Sequence, residues 1–290
     1  MFEGVMTALV TPFRDGSIDE PALRALVERQ IEAGIDGLVP CGSTGESATL
    51  SHDEHERVVD IVVDAAAGRV PVVAGTGSNN TQEAIRLTSH AKAAGASGAL
   101  LISPYYNKPT QAGLVAHYEA VARASELPLL VYNIPGRTAS NILPATLAQL
   151  AHVEYVVGVK ESCGDIDQIA HVVAQCPDDF TVLSGDDALA LPLLAVGGDG
   201  VISTSSNVAP KQMLELVRAY KSGDPSSALA VHQRLLPLFD ALFCETNPIP
   251  VKAALCIMGL VSDEIRLPLT PITQPNREAL QVALKELGFA

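Results

Sequence analysis

Lys160 is the residue in this sequence with the clearest capacity for covalent chemistry. It follows the run Tyr155-Val156-Val157-Gly158-Val159, from which a long cationic side chain would project into a mostly apolar interior. Burial disfavours the charged form: a free lysine titrates at about 10.4 and a desolvated one falls by up to about 3 to 5 units, which makes the neutral amine available. A neutral lysine attacks ketones to form a Schiff base. An ion pair with Glu161, or with an acid on another strand, accounts for the same residue equally simply, so further groups must decide.

Candidates for those groups stand elsewhere in the chain. Gly42-Ser43-Thr44-Gly45-Glu46-Ser47 combines glycines that let the backbone turn tightly with hydroxyls and free N–H groups, a combination that binds small anions. An ordinary Gly/Ser turn is the alternative. No G-K-S/T follows it, and Gly75-Thr76-Gly77-Ser78-Asn79 lacks the third glycine of the dinucleotide fingerprint, so no nucleotide cofactor is called for. Tyr132 and Tyr106 each close or follow an apolar run; they are core tyrosines, or phenols that pass protons to a carbonyl addition intermediate beside Ser43 and Thr44. Arg137, in Tyr132-Asn133-Ile134-Pro135-Gly136-Arg137-Thr138, is a surface arginine or a fork for a second carboxylate on a Pro-Gly loop. His52, Asp53, Glu54, His55 and Glu56 crowd a helix start. A solvated polar face explains them by default, and a metal would need a third ligand that the spacing does not indicate.

Positioning such groups requires a scaffold, and the sequence has the rhythm of one. Apolar runs over 5–10, 37–40, 70–74, 98–102, 127–132, 155–159, 181–183 and 200–202 read as strands, continuous rather than alternating, as in a parallel sheet covered on both faces. Helices fill the gaps, including 20–33 and 52–67, with Ser51 as a cap for the latter. Eight βα repeats in about 220 residues fit an α/β TIM barrel, (β/α)8, over 1–223, with a doubly wound sheet as the competing topology. Beyond Gly223 the pattern is wholly helical, at 226–242, around 251–258 and at 276–287, giving a C-terminal helical extension over 224–290. Polar and small residues gather just after the strands, and in a barrel those ends share one mouth.

Composition bounds the partners. The 290 residues carry 19 Lys plus Arg against 33 Asp plus Glu, a net charge of −14, which repels phosphate backbones and argues against nucleic acid. Hydrophobic residues are 48% and charged ones 18%, too apolar for a disordered chain. No run is long enough to cross a membrane, and residues 1–13 lack the pattern of a secretory signal. The cysteines, Cys41, Cys163, Cys176, Cys244 and Cys256, form no C-x-x-C pair, which suits a reduced compartment. A cytoplasmic location is expected.

With GSTGES, YNIPGRT and GVKES in this order, the chain resembles the 4-hydroxy-tetrahydrodipicolinate synthase (dihydrodipicolinate synthase) family of pyruvate-dependent class I aldolases. The likeness extends through Ser103-Pro104-Tyr105-Tyr106-Asn107, Leu183-Ser184-Gly185-Asp186-Asp187 and Asn247-Pro248-Ile249-Pro250-Val251-Lys252. It implies a lysine that condenses with pyruvate, becomes an enamine and attacks L-aspartate 4-semialdehyde, without a cofactor or metal. By the resemblance Lys160 is the Schiff-base lysine, Tyr132 the proton donor and acceptor, and Ser43 and Tyr106 its relay. Thr44, Ile202 and Gly185 would contact pyruvate, and Arg137 the semialdehyde. The family's relay tyrosine at the Tyr106 position comes from a neighbouring subunit, which implies a homotetramer built as a dimer of dimers. Ser47, Ala48, His52, His55, Asn79, Glu83 and Tyr105 match positions that bind the effector L-lysine in sensitive members. Ser43 replaces a threonine frequent in the family; it keeps the hydroxyl and loses the methyl that restricts the rotamer, so activity should survive.

N-acetylneuraminate lyase and keto-deoxy sugar acid aldolases share the lysine, tyrosine and carboxylate loop. Arg137 separates them, because a sugar wants neutral partners while a carboxylate gains roughly 1.5 to 3 kcal/mol from a charged donor. A silent barrel serving as a scaffold has no physical need for the lysine, phenols and hydroxyls together, and a metal-dependent aldolase would lose activity to chelator.

Overall fold

The apolar runs form eight parallel strands: β1 (Gly4–Ala8), β2 (Gly37–Val39), β3 (Val73–Gly75), β4 (Gly98–Ile102), β5 (Leu129–Asn133), β6 (Val156–Glu161), β7 (Thr181–Ser184) and β8 (Gly200–Ser203). In the computed structural model, which describes residues 1–289, they hydrogen-bond in the order β2-β1-β8-β7-β6-β5-β4-β3. The remaining seam is joined by a parallel bridge between Leu38 and Val72, with Leu38 N–H donating to Pro71 O at 3.0 Å and Gly75 N–H to Pro40 O at 2.8 Å. The sheet therefore rolls into a (β/α)8 barrel and the doubly wound alternative is excluded. At Gly75 a Cβ would lie 2.2 Å from Cys41 O, so only glycine lets β3 approach the end of β2.

Around the barrel run α1 (Glu20–Ala33), α2 (His52–Ala66), α3 (Thr81–Ala94), α4 (Gln111–Ser125), the short α5 (Pro135–Thr138), α6 (Pro144–Leu150), α7 (Ile166–Gln175), α8 (Ala190–Ala195) and α9 (Pro210–Lys221). Local chemistry sets their ends. Asp19 accepts from Ala22 N–H to start α1 and left-handed Gly34 stops it, while Ser51 and Glu54 form a reciprocal capping box on α2, satisfying otherwise orphaned donors. A small hairpin not anticipated from sequence, Phe13–Arg14 against Ser17–Ile18, lies between β1 and α1. Then α10 (Pro225–Leu242), α11 (Ile249–Ile257) and α12 (Gln274–Glu286) follow, with α10 packed on α9 and α12 on α10. No helix among the described residues is long and apolar enough to cross a membrane.

Strand pleat divides the core in two. Met6, Ala8, Val39, Val73, Leu100, Leu130, Tyr132, Leu183 and Ile202 fill the barrel, with Phe2 joining them; the larger cluster lies between strands and helices. Most strand limits depart from the apolar runs by a residue or more, and two of the departures have a local cause. Expected at 70, β3 begins at Val73 because Pro71 has no N–H to pair. Expected to end at 159, β6 continues through Glu161, with Lys160 paired to Tyr132 on one side and Leu183 on the other. Lys160 is thus held inside a ladder rather than at its frayed end.

Candidate active site

Because Lys160 shares its rung with inward-facing Tyr132 and Leu183, its side chain enters the barrel. It is 7% exposed, and Nζ lies 4.2 Å from the centre of the Tyr132 ring. Glu161, one residue on, faces the other layer. Its carboxyl accepts from Asn133 Nδ2 at 2.9 and 3.2 Å and from Cys163 N–H at 3.0 Å, and burial pushes its pKa up to about 7. The alternative reading of Lys160 as an ion-pair partner of Glu161 is therefore not met, since consecutive strand residues point to opposite faces. Gly185 closes over the lysine: a Cβ there would stand 2.6 Å from Lys160 Cε and 1.9 Å from Ser162 Oγ. Ile202 is buried on β8.

The GSTGES loop bends back over this mouth with Cys41 and Glu46 at φ of 56° and 54°. Gly45 N–H donates to Gly42 O at 3.0 Å, and Thr11 Oγ1 donates to Gly45 O at 2.7 Å. Buried Thr44 has its Oγ1 3.4 Å from Thr204 Oγ1 and receives Asn247 Nδ2 at 3.0 Å. Asp187 fixes the Thr204 segment by accepting from Thr204 N–H at 3.2 Å and from Ser205 N–H and Oγ at 2.8 Å each; burial raises its pKa. Ser43 is half-buried in the same loop. Arg137 occupies the short helix α5 rather than an open Pro-Gly loop, and its Nη2 donates to Asn247 O at 3.0 Å.

Tyr106 behaves differently from the rest. It sits in the loop after β4 at φ 70° and is 88% exposed where Tyr132 is 5%, so its own chain does not bury it in the mouth.

The other group lies around α2 and α3. His52 Nε2 meets Glu83 Oε1 at 2.6 Å, Ser78 Oγ bonds Glu83, and Asn79 Nδ2 donates to Tyr105 O at 3.1 Å. The Ser78 and His52 contacts lower the Glu83 pKa. Ser47 and Ala48 belong to a 3-10 turn that leads toward α2. His55 is not on a solvated face: it is buried on the same stripe as Val58, Val59 and Val62, with Nε2 at 2.7 Å from Gly75 O and Nδ1 unpartnered. The two histidines thus turn to different neighbours. Among the described residues, no group of three or more His, Cys, Asp or Glu is disposed to hold a metal ion.

The largest omission of the sequence reading is the support from the C-terminal helices. Lys252 Nζ meets Glu46 Oε1 at 2.6 Å with side chains 2% and 1% exposed. It also donates to Glu264 O at 2.6 Å, while Arg266 N–H donates to Glu46 Oε2 at 3.1 Å. The segment Asn247-Pro248-Ile249-Pro250-Val251-Lys252 was the only signal, and nothing local in it names its partners.

A buried inward-facing lysine beside a phenol, under a hydroxyl-rich turn at the strand ends of a (β/α)8 barrel, defines a class: barrels equipped for imine chemistry on small carbonyl compounds. The model of the dihydrodipicolinate synthetase family matches residues 1–287, and the chain belongs to that family. The 4-hydroxy-tetrahydrodipicolinate synthase of Syntrophobacter fumaroxidans is 57% identical over 290 residues, covering 100% of each chain. The chloride-inhibited dihydrodipicolinate synthase from Acinetobacter baumannii, solved in complex with pyruvate, is 45% identical at a TM-score of 0.98, covering 100% of both chains. The family enzyme from Cyanidioschyzon merolae, solved with lysine bound, is 41% identical at a TM-score of 0.97, covering 100% of this chain and 99% of the other.

Proposed function

We infer that the protein condenses pyruvate with L-aspartate 4-semialdehyde to give 4-hydroxy-tetrahydrodipicolinate, in lysine and diaminopimelate biosynthesis. The observation that carries this is Lys160 Nζ, buried in the barrel 4.2 Å from the Tyr132 ring, in a chain of this family.

The residues take their roles from chemistry and position. The Lys160 amine adds to the ketone carbon of pyruvate, and water leaves as the imine forms. Loss of a methyl proton gives the enamine, whose carbon attacks the aldehyde; the new oxyanion takes a proton, and the amino group of the adduct closes the ring as lysine is released. Tyr132, against the amine, moves the protons, with Ser43 and Tyr106 as its relay. Thr44 holds the pyruvate carboxylate, Ile202 and Gly185 bound the pocket, and Arg137 takes the semialdehyde carboxylate with a charge-assisted bond. Residues 1–223 make the catalytic barrel, and 224–290 form the extension whose Asn247 and Lys252 brace the carboxylate loop.

Exposed Tyr106 supports assembly, since a relay phenol must be covered by a neighbouring copy; we assign a homotetramer of paired dimers acting in the cytoplasm. The contacts linking His52, Glu83, Ser78, Asn79 and Tyr105, together with the lysine-bound relative, support L-lysine as an effector bound by Ser47, Ala48, His52, His55, Asn79, Glu83 and Tyr105.

The deciding experiment offers pyruvate with aspartate semialdehyde, N-acetylmannosamine or glyceraldehyde in turn. Turnover is expected with the semialdehyde; preference for either sugar would reassign the reaction to a lyase or sugar acid aldolase. Millimolar L-lysine at subsaturating pyruvate should lower the initial rate, and an unchanged rate would remove the effector.

A further inference from the structure

Asn247, in the loop between α10 and α11, touches both carboxylate-binding groups. Its Nδ2 donates to Thr44 Oγ1 at 3.0 Å across 203 residues of chain, and its backbone carbonyl accepts from Arg137 Nη2 at 3.0 Å. The residue is 8% exposed, and its Oδ1 is buried without a partner. A buried carbonyl oxygen left unpaired is costly, so packing for its own sake does not explain an amide held in this way.

The donor direction explains it. A threonine hydroxyl has one proton to give and two lone pairs. Nδ2 occupies a lone pair of Thr44 Oγ1, and an amide nitrogen accepts nothing, so the Thr44 proton stays available to an anion. The only neighbouring competitor recorded for it is Thr204 Oγ1 at 3.4 Å, a long contact. The Asn247 carbonyl meanwhile holds one arm of the Arg137 guanidinium and leaves the remaining N–H groups of the fork to face a second anion.

We propose that Asn247 is a positioning residue that presents Thr44 and Arg137 together, so that the affinities for the keto acid and for the second, carboxylate-bearing aldehyde both depend on it. This rests on the condensation proposed for the site. Asn247→Asp tests the donor direction with almost no change of shape: its carboxylate accepts the Thr44 proton, turns the hydroxyl away from the substrate and adds a negative charge between two sites for anions.

The experiment compares the intact protein with Asn247→Asp and Asn247→Ala, reading steady-state KM for each substrate, kcat, and the pyruvate concentration that half-saturates borohydride trapping on Lys160. Loss of one hydrogen bond to a charged partner corresponds to about tenfold. The pyruvate KM and the trapping midpoint are expected to rise about tenfold or more in Asn247→Ala, whose backbone carbonyl still holds Arg137, and both KM values to rise in Asn247→Asp, whose charge faces both anions, with kcat changed less than about threefold. A merely structural role would lower kcat through the active fraction and leave both KM values in place, and that result overturns the proposal, as does a rise confined to one substrate in Asn247→Asp. Should Asn247→Ala fail to fold, the near-isosteric Asn247→Asp decides by the same criteria. Trapping reads pyruvate alone, so parent protein that traps pyruvate without condensing it would refute the reaction while an unmoved trapping midpoint in Asn247→Asp would separately refute the role of Asn247.

Discussion

Lys252→Met should be the most destabilising single change at the back of the site. Lys252 and Glu46 are 2.6 Å apart with side chains 2% and 1% exposed. At that distance and an effective dielectric of about 20, their attraction is about 6 kcal/mol, against a desolvation cost of several kcal/mol for each ion. The net worth of the pair is therefore small, but removing one partner strands the other. Burial lowers the Lys252 pKa and Glu46 opposes that shift; without the ammonium, the Glu46 carboxyl keeps only the Arg266 N–H at 3.1 Å. The expected loss in urea unfolding is about 3 to 5 kcal/mol for Lys252→Met. Combining it with Glu46→Leu, which leaves no unpaired charge, should recover most of that loss. Since Glu46 belongs to the same turn as Thr44, Lys252→Met should also raise KM for pyruvate. A loss under about 1 kcal/mol, or a double variant as unstable as the two single changes added, would refute the reasoning.

Gly185→Ala places a methyl 2.6 Å from Lys160 Cε and 1.9 Å from Ser162 Oγ, and displacing the amine should lower kcat about a hundredfold; single-turnover kinetics check this, and wild-type rates would contradict it. Ser43→Ala should lower kcat much more than Ser43→Thr, because the proton relay needs the oxygen and not the methyl; equal rates would remove the relay role. His117, buried on α4, has its pKa pulled down by burial to about 4. A histidine titrating at about 6.5 when unfolded then contributes about 3 kcal/mol that is present above pH of about 6.5 and lost as pH falls toward 4. Urea unfolding at neutral pH and near pH 4 should show this loss, and His117→Gln should flatten it.

Periodic apolar runs carried the barrel because every strand in it is buried on both faces, so each shows in sequence as an unbroken run. Apolar spacing carried α1, and each of its ends is set by a neighbour in sequence, Asp19 capping Ala22 N–H at the start and left-handed Gly34 stopping it. Boundaries failed where a single backbone donor decides, as at Pro71, or where polar residues continue a strand, as Lys160 and Glu161 do in β6. His55 was misread because a buried polar side chain on an amphipathic stripe has the same spacing as a solvated one until its neighbour, Gly75 O, is known. The bracing of Thr44 by Asn247 and of Glu46 by Lys252 spans 203 and 206 residues. No periodicity or motif spacing carries a pairing of that range; only the closed chain reveals it.

Reductive trapping tests the account most directly. Pyruvate and borohydride, followed by digestion and mass analysis, should give a reduced pyruvyl adduct on the peptide containing Lys160 and abolish activity in proportion. An adduct on Lys252, the other buried lysine, or an unmodified Lys160 in inactivated protein, would contradict it.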